Sequence, residues 1–88
     1  MILDTDYCCV TFQNVHTALR FERDMKAHSL QVRLIPVPRK ISATCGMAAR
    51  VSLQEWEVVK TKMLSEQLEF EKVFHITKND LKEVSLVP

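Results

Sequence analysis

The sequence predicts an α+β fold with the element order β-α-β-β-α-β. Three observations predict it: short runs rich in β-branched and aromatic residues, two stretches of apolar residues at helical spacing, and a capping residue before each helical stretch. With 88 residues the chain is long enough for one domain. We expect its core between residues 7 and 77 and a tail at 78–88.

The run from Tyr7 to Phe12 predicts the first strand, and Asn14 is typical of an N-cap because its side chain accepts from amides of the first helical turn. The helix is expected to reach about Ala27, and one of its faces contains Val15, Ala18, Leu19, Glu22 and Met25. Glu22 has two interpretations. It either lies at the edge of this face and pairs with Lys26, or it is a half-buried carboxylate that anchors a backbone amide or a base near the functional site.

An alternation of apolar and polar residues predicts a half-buried second strand that contains Leu30, Val32 and Leu34. Pro36 and Pro38 are expected to end it, because proline lacks the amide that a central ladder needs. The segment from Pro36 to Thr44 is therefore expected to be a loop, and a third strand is expected over Met47 to Val51.

A capping box, with Ser52 at the N-cap and Glu55 three residues later, predicts a second helix from Leu53 to about Gln67. The buried stripe of this helix is expected to contain Leu53, Trp56, Val59, Met63 and Leu64. The run from Lys72 to Thr77 predicts a fourth strand, and the tail is expected to add a short turn or helix.

With right-handed crossovers this order gives a ferredoxin-like arrangement, which is a four-stranded antiparallel sheet with both helices on one face. The first and third strands are then the central pair, and the second face of the sheet is open. Because so small a domain gains stability by covering an open face, a homodimer through that face is one expectation.

The chain has 12 Lys and Arg against 11 Asp and Glu, so its charge argues against nucleic acid or acidic membranes as partners. The third strand also lacks the stacking aromatics of an RNA-recognition sheet. No apolar run approaches the roughly 20 residues of a membrane-spanning helix, and the first residues lack the basic start of a signal peptide. The sequence thus predicts a soluble, cytoplasmic protein.

The three cysteines differ in their surroundings. Adjacent strand residues point to opposite faces, so Cys8 and Cys9 are not expected to bridge each other, and both are expected to pack in the core. No CxxC pattern occurs, and no histidine shares a spacing with a cysteine, so neither a metal nor another cofactor is expected.

Cys45 lies in the segment from Leu34 to Arg50, which also contains the only glycine, Gly46. Reactive thiols favour electropositive, partly exposed loops, because nearby cations favour the thiolate. The cations that could supply this field are Arg39, Lys40 and Arg50. Ser42 and Thr44 could hydrogen-bond a bound anion or persulfide, while Gly46 allows close approach of a partner's sulfur and a positive φ. The alternative is that Cys45 is a small apolar filler in a solvated turn.

The run Pro36-Val37-Pro38-Arg39, with Cys45-Gly46 beginning six residues after Arg39, resembles the motif of the selenium/sulfur carrier-like family over roughly residues 7 to 77. The resemblance implies that Cys45 is the thiol that carries sulfur or selenium, and that Pro36, Pro38, Arg39 and Gly46 shape its loop. It also implies a donor partner such as a cysteine desulfurase. The sequence departs from the family where a glycine commonly stands near the end of the first helix, since His28 and Ser29 occupy that place.

Two other functions stay open. Cys45 could be the nucleophile of a small thiol-dependent transferase or reductase, although no histidine or acid has a recognisable place beside it. The sheet could instead serve a non-catalytic interaction or regulatory module, in which case Cys45 would be dispensable.

Overall fold

A computed structural model describes residues 6–78 and 80–84. The elements in chain order are β1 (Tyr7–Thr11), α1 (Val15–Ala27), β2 (Val32–Pro36), β3 (Met47–Ser52), α2 (Leu53–Ser65), β4 (Lys72–Ile76) and β5 (Leu81–Val84). The α+β class is confirmed, as are both helices and all four strands that the sequence predicts.

The described strands form one antiparallel sheet in the order β2-β3-β1-β4-β5, with β1 and β3 as neighbours inside it. The prediction of four strands is wrong. The chain turns back after β4, where the Thr77 amide donates to the Asp80 carbonyl at 2.9 Å, and β5 then pairs with β4. The expected turn or helix in the tail is therefore replaced by a strand, while Asn79 and residues 85–88 lie outside the described residues.

Both helices pack against the same face of the sheet and share one hydrophobic core with it. α1 buries Ala18, Phe21 and Met25, and α2 buries Trp56, Val59 and Met63. The predicted face of α2 was too wide, and that of α1 was misplaced because it omitted Phe21: Val15, Leu19, Leu53 and Leu64 are between 42% and 51% exposed. A helix that lies on a sheet buries only a narrow stripe at spacings of three and four residues, and these four side chains fall beside it.

The start of each helix was predicted correctly, but only one of the two capping mechanisms is present. Asn14 caps α1 by accepting a hydrogen bond from the Thr17 amide at 2.9 Å. Ser52 occupies the N-cap of α2 without a side-chain cap bond, so the predicted capping box is wrong. Glu55 instead accepts from the backbone amide of Gln31 at 3.1 Å and ties α2 to the start of β2.

The end of α1 explains the departure from the family pattern at His28 and Ser29. Ser29 adopts a φ of 62°, in the left-handed region that a glycine enters most easily. The Leu30 amide then reaches back to the carbonyl of Met25 at 3.0 Å, which is a Schellman turn. α2 ends in the same way, with Gln67 at a φ of 53°. The tight turn therefore forms without glycine.

The second face of the sheet is partly covered, which corrects the expected open face. The loop between β2 and β3 begins with the Val37 amide donating to the Gly46 carbonyl at 3.1 Å, and it turns where the Ile41 amide donates to Pro38 at 3.0 Å. Ile41 is only 7% exposed, because it packs on this face against Cys9, Ala48 and Phe74. The loop is therefore anchored to the sheet by an apolar side chain.

Pro36 was expected to end the second strand, yet it is the last residue of β2 and pairs with Met47. Proline is tolerated there because β2 is an edge strand and its nitrogen points away from β3. Within the described part of the chain, no helix is both long and apolar enough to cross a membrane.

Candidate functional site

Cys45 lies at the end of the β2–β3 loop, separated from β3 only by Gly46. Its side chain is half-buried, and its Sγ accepts a hydrogen bond from the backbone amide of Met47 at 3.4 Å. A backbone amide directed at sulfur stabilises negative charge there, because hydrogen bonds to an ionised acceptor are stronger than those to a neutral one. The start of β3 therefore both positions the thiol and provides a donor for its thiolate.

The residue before Cys45 is held from a distant part of the chain. The Thr44 amide donates to Glu71 Oε1 at 3.3 Å, and the Thr44 hydroxyl donates to Glu71 Oε2 at 2.5 Å. These two bonds hold the pKa of Glu71 below its ordinary range. Thr44 was predicted to hydrogen-bond a bound anion, but in this structure its hydroxyl donates to a carboxylate of the protein.

Sequence reasoning missed Glu71. It precedes β4 and lies 27 residues from Thr44, so no local spacing could connect the two. The Glu71 amide donates to the Thr11 carbonyl at 2.7 Å, at the end of β1. The pairing of β1 with β4 thus brings the carboxylate to the cysteine loop, where it places a negative charge that the sequence did not predict.

The three predicted cations are separated by the fold. Arg39 and Lys40 are exposed in the turn that begins at Pro38, so they share the loop with Cys45. Arg50 is three residues into β3, roughly 10 Å along the strand from Met47. Its guanidinium lies over the ring of Tyr7, 4.3 Å from the ring centroid. The structure therefore does not bring Arg50 into the cysteine loop.

The other predicted loop residues have separate roles. Pro36 closes β2, Pro38 starts the turn that ends at Ile41, and Ser42 is exposed. The sequence predicted Gly46 for two reasons, a positive φ and the close approach of a partner's sulfur. Gly46 does not adopt a positive φ, so the first reason is wrong. The other reason, close approach of a partner's sulfur, stays a prediction; apart from its two chain neighbours, a Cβ built on Gly46 would meet nothing within 4 Å, so the space at Gly46 is open.

Cys8 and Cys9 are buried on opposite faces of the sheet, as predicted, with exposures of 2% and 0%. Burial raises the pKa of each thiol to about 11, since an apolar environment disfavours the thiolate. Both are therefore thiols at neutral pH and contribute to packing.

Glu22 follows the edge interpretation: its side chain is 24% exposed, and it pairs with Lys26 at 3.7 Å. Among residues 6–78 and 80–84, no group of three or more His, Cys, Asp or Glu side chains could hold a metal ion. The site is thus one half-buried thiol in an anchored loop.

Comparison with curated proteins and comparison with solved structures gave no significant match. Comparison with protein families gave the family described as "Putative Se/S carrier protein-like", whose model matches residues 7–75. The match extends from β1 into β4 and includes the whole cysteine loop. Because it covers well over half of the sequence, the chain belongs to this Se/S carrier-like family.

Proposed function

We propose that the protein is a carrier of sulfur or selenium, which Cys45 accepts from a persulfide or perselenide of a donor protein such as a cysteine desulfurase. One observation carries the proposal. All three cysteines are described, and Cys45 alone is accessible to solvent, while Cys8 and Cys9 are buried in the sheet. Membership of the Se/S carrier-like family supports sulfur or selenium as the cargo.

The transfer needs no oxidant, because the donor persulfide already contains sulfur at the required oxidation level. The Cys45 thiolate attacks the outer sulfur of the donor persulfide and forms a new S–S bond. The bond between the outer sulfur and the donor's cysteine breaks, and its electron pair leaves with the donor as a thiolate. Cys45 then holds the outer sulfur as a persulfide. The outer sulfur keeps the protonation state that it had on the donor, so no proton is gained or lost. The same exchange with selenium as the outer atom gives a perselenide.

The loop supplies what this exchange requires. The Met47 amide stabilises the attacking thiolate of Cys45, and Arg39 and Lys40 attract the anionic donor group. The open space beside Gly46 leaves room for the donor's sulfur to approach. The anchored loop limits the motion of the thiol, which lowers the entropic cost of the encounter.

The test is incubation with a cysteine desulfurase and cysteine, followed by intact-mass measurement. The wild type is expected to gain the mass of one sulfur atom, and Cys45→Ser is expected to gain none. The matched control is the Cys8→Ala, Cys9→Ala double variant, which retains Cys45 and is expected to load as the wild type does. Loading of Cys45→Ser, or no loading of any form, would refute the proposal.

Gly46→Ala tests the approach of the donor separately from the thiol. Apart from its two chain neighbours, the added methyl meets no atom within 4 Å, so folding and reaction with the small reagent iodoacetamide should be unchanged. Transfer from the protein donor is expected to slow, because the methyl occupies the space that the donor enters. Equal transfer rates in Gly46→Ala and wild type would show that the donor does not use this space.

A further inference from the structure

The backbone is held by hydrogen bonds on both sides of Cys45. On one side, the carbonyl of Gly46 accepts from the Val37 amide at 3.1 Å. On the other side, the amide and the hydroxyl of Thr44 both donate to the carboxylate of Glu71, at 3.3 and 2.5 Å. Of these bonds, only those to Glu71 join the loop to a part of the chain that lies beyond β3.

Glu71 is itself fixed to the end of β1. Its backbone amide donates to the Thr11 carbonyl at 2.7 Å, and the amide of the next residue, Lys72, donates to the Thr11 hydroxyl at 3.1 Å. Thr11 is only 1% exposed, so its hydroxyl is shielded from water. The carboxylate that holds Thr44 is therefore supported by the sheet and not by the loop itself.

The register of the strands brings Glu71 and Met47 to the same end of the sheet. Thr11 of β1 pairs with Ala48 of β3 on one side and with Lys72 of β4 on the other. The residues before these two partners are Met47 and Glu71, which are about 10 Å apart across β1 because neighbouring strands are about 4.8 Å apart. Met47 donates to the sulfur of the cysteine, and Glu71 binds the residue before it. Two strands thus form the frame that orients the thiol.

The contact between Thr44 and Glu71 is complete at neutral pH. The hydroxyl and the amide of Thr44, and with them the hydroxyl of Thr11, lower the pKa of the Glu71 carboxyl, so it is ionised there. Hydrogen bonds to an ionised acceptor are shorter and stronger than those to a neutral one. The carboxylate therefore holds the loop under the conditions in which sulfur transfer would take place.

We propose that Glu71 is a positioning residue for Cys45: through Thr44, it holds the thiol in the orientation in which it attacks the donor's persulfide. The inference rests on the function proposed for Cys45 and adds to it a residue that acts through its neighbour. Orientation matters because a displacement of about 1 Å at a reacting group can cost about 100-fold in rate. Two bonds to one carboxylate restrict Thr44 in direction as well as in distance.

The first experiment compares Glu71→Ala, which removes both acceptors, with the matched control Glu69→Ala. Glu69 is exposed and lies in the same connection between α2 and β4. The initial rate of sulfur gain from a cysteine desulfurase with cysteine is measured at several concentrations of each variant. In Glu71→Ala the maximal rate is expected to fall about tenfold or more, while the half-saturating concentration changes less than about twofold. Glu69→Ala is expected to behave as the wild type does.

Substitutions of Thr44 test the same contact from the other side. Thr44→Val removes the hydroxyl donor, keeps the branched shape, and is expected to lower the maximal rate severalfold. Thr44→Ser keeps both donors and is expected to stay within about twofold of the wild type. An equal loss in Thr44→Val and Thr44→Ser would overturn the inference, because only the first variant lacks the hydroxyl bond to Glu71.

Two measurements need no donor, so they decide the inference even if the wild type gains no sulfur, an outcome that would refute the function proposed for Cys45. In Glu71→Ala the Thr44 amide is expected to exchange about tenfold faster, with exchange at Val37 and Ile41 unchanged because their bonds remain. Alkylation of the half-buried Cys45 thiol by iodoacetamide is expected to be about twofold faster or more. Unchanged exchange at Thr44, unchanged alkylation of Cys45, or equal and non-zero maximal transfer rates in Glu71→Ala and wild type would overturn the inference.

Discussion

The substitution Ile41→Ala tests whether the cysteine loop is held on the sheet by its apolar anchor. Ile41 is 7% exposed and packs against Cys9, Ala48 and Phe74 on the second face. Its backbone amide also closes the turn from Pro38 at 3.0 Å. The substitution removes the side-chain contacts and leaves this backbone bond in place.

The expected loss of stability in Ile41→Ala follows from the number of buried carbon atoms that the substitution removes. Isoleucine loses three carbon groups on conversion to alanine, and each is worth about 0.8 kcal/mol when buried, which gives about 2.4 kcal/mol. The additional cost of a cavity should be small, because a surface loop can partly collapse into the space. We therefore expect the free energy of unfolding to fall by about 2 to 3 kcal/mol.

Urea unfolding and amide hydrogen exchange together measure this loss. If the loop detaches separately, the loss appears as exchange at Val37 and Ile41 that is faster by on the order of 50-fold, and Cys45 alkylation also accelerates. The control Leu64→Ala removes a 45% exposed side chain from α2 and should change stability by less than about 0.5 kcal/mol. A loss below about 0.5 kcal/mol in Ile41→Ala, with unchanged exchange, would refute the anchoring role of Ile41.

Three other predictions concern single groups. The pKa of Glu71 is lowered by the hydrogen bonds from Thr44. Those bonds therefore form fully above the carboxyl pKa of the unfolded chain and are lost as pH falls through the folded-state pKa of Glu71. The NMR signal of the Thr44 amide should follow this titration in the wild type, and a similar titration in Glu71→Gln would contradict the prediction. Burial raises the pKa of Cys8 and Cys9 from 9.0 to about 11. The contribution of each thiol to the free energy of unfolding is therefore complete below about pH 9. About 2 to 3 kcal/mol of that contribution is lost as pH rises through about 11. Urea unfolding measured at several pH values should show this fall in the free energy of unfolding. An equal fall in the Cys8→Ala, Cys9→Ala double variant would assign it to other groups. Ser29→Gly should raise the free energy of unfolding by about 0.5 to 1 kcal/mol, since serine is strained at a φ of 62°, and thermal unfolding that shows a decrease would contradict this.

Much of the fold follows from local sequence signals. Asn14 and apolar residues at helical spacing, such as Ala18 and Met25, define α1 within a single stretch of chain, and its limits were predicted correctly although Phe21 was left out of the predicted face. The strand β5 was missed because its four residues, LKEV, have a short and weakly apolar pattern. It forms because the neighbouring edge of β4 is available for pairing, which is a property of the assembled sheet rather than of that stretch.

The features of the candidate site likewise divide into those set by neighbouring residues and those set by contacts between distant ones. Cys45, Gly46 and the two prolines are close in the chain, so their composition identified the loop before its structure was known. The contact of Thr44 with Glu71 depends on the pairing of β1 with β4, and the stacking of Arg50 on Tyr7 depends on the pairing of β1 with β3. Both contacts join residues that are distant in sequence, and both change the charge around the loop from that which the sequence predicts.

A carrier must release its cargo as well as accept it, and this is the most direct test of the central claim. The Cys8→Ala, Cys9→Ala variant, in which Cys45 is the only thiol, is loaded by a cysteine desulfurase with cysteine and then treated with glutathione, with intact mass followed throughout. Our account predicts a gain of one sulfur atom per chain, located on Cys45 by peptide mapping, and its complete transfer to glutathione. A chain that gains no sulfur, or that holds it on a residue other than Cys45, would contradict the account.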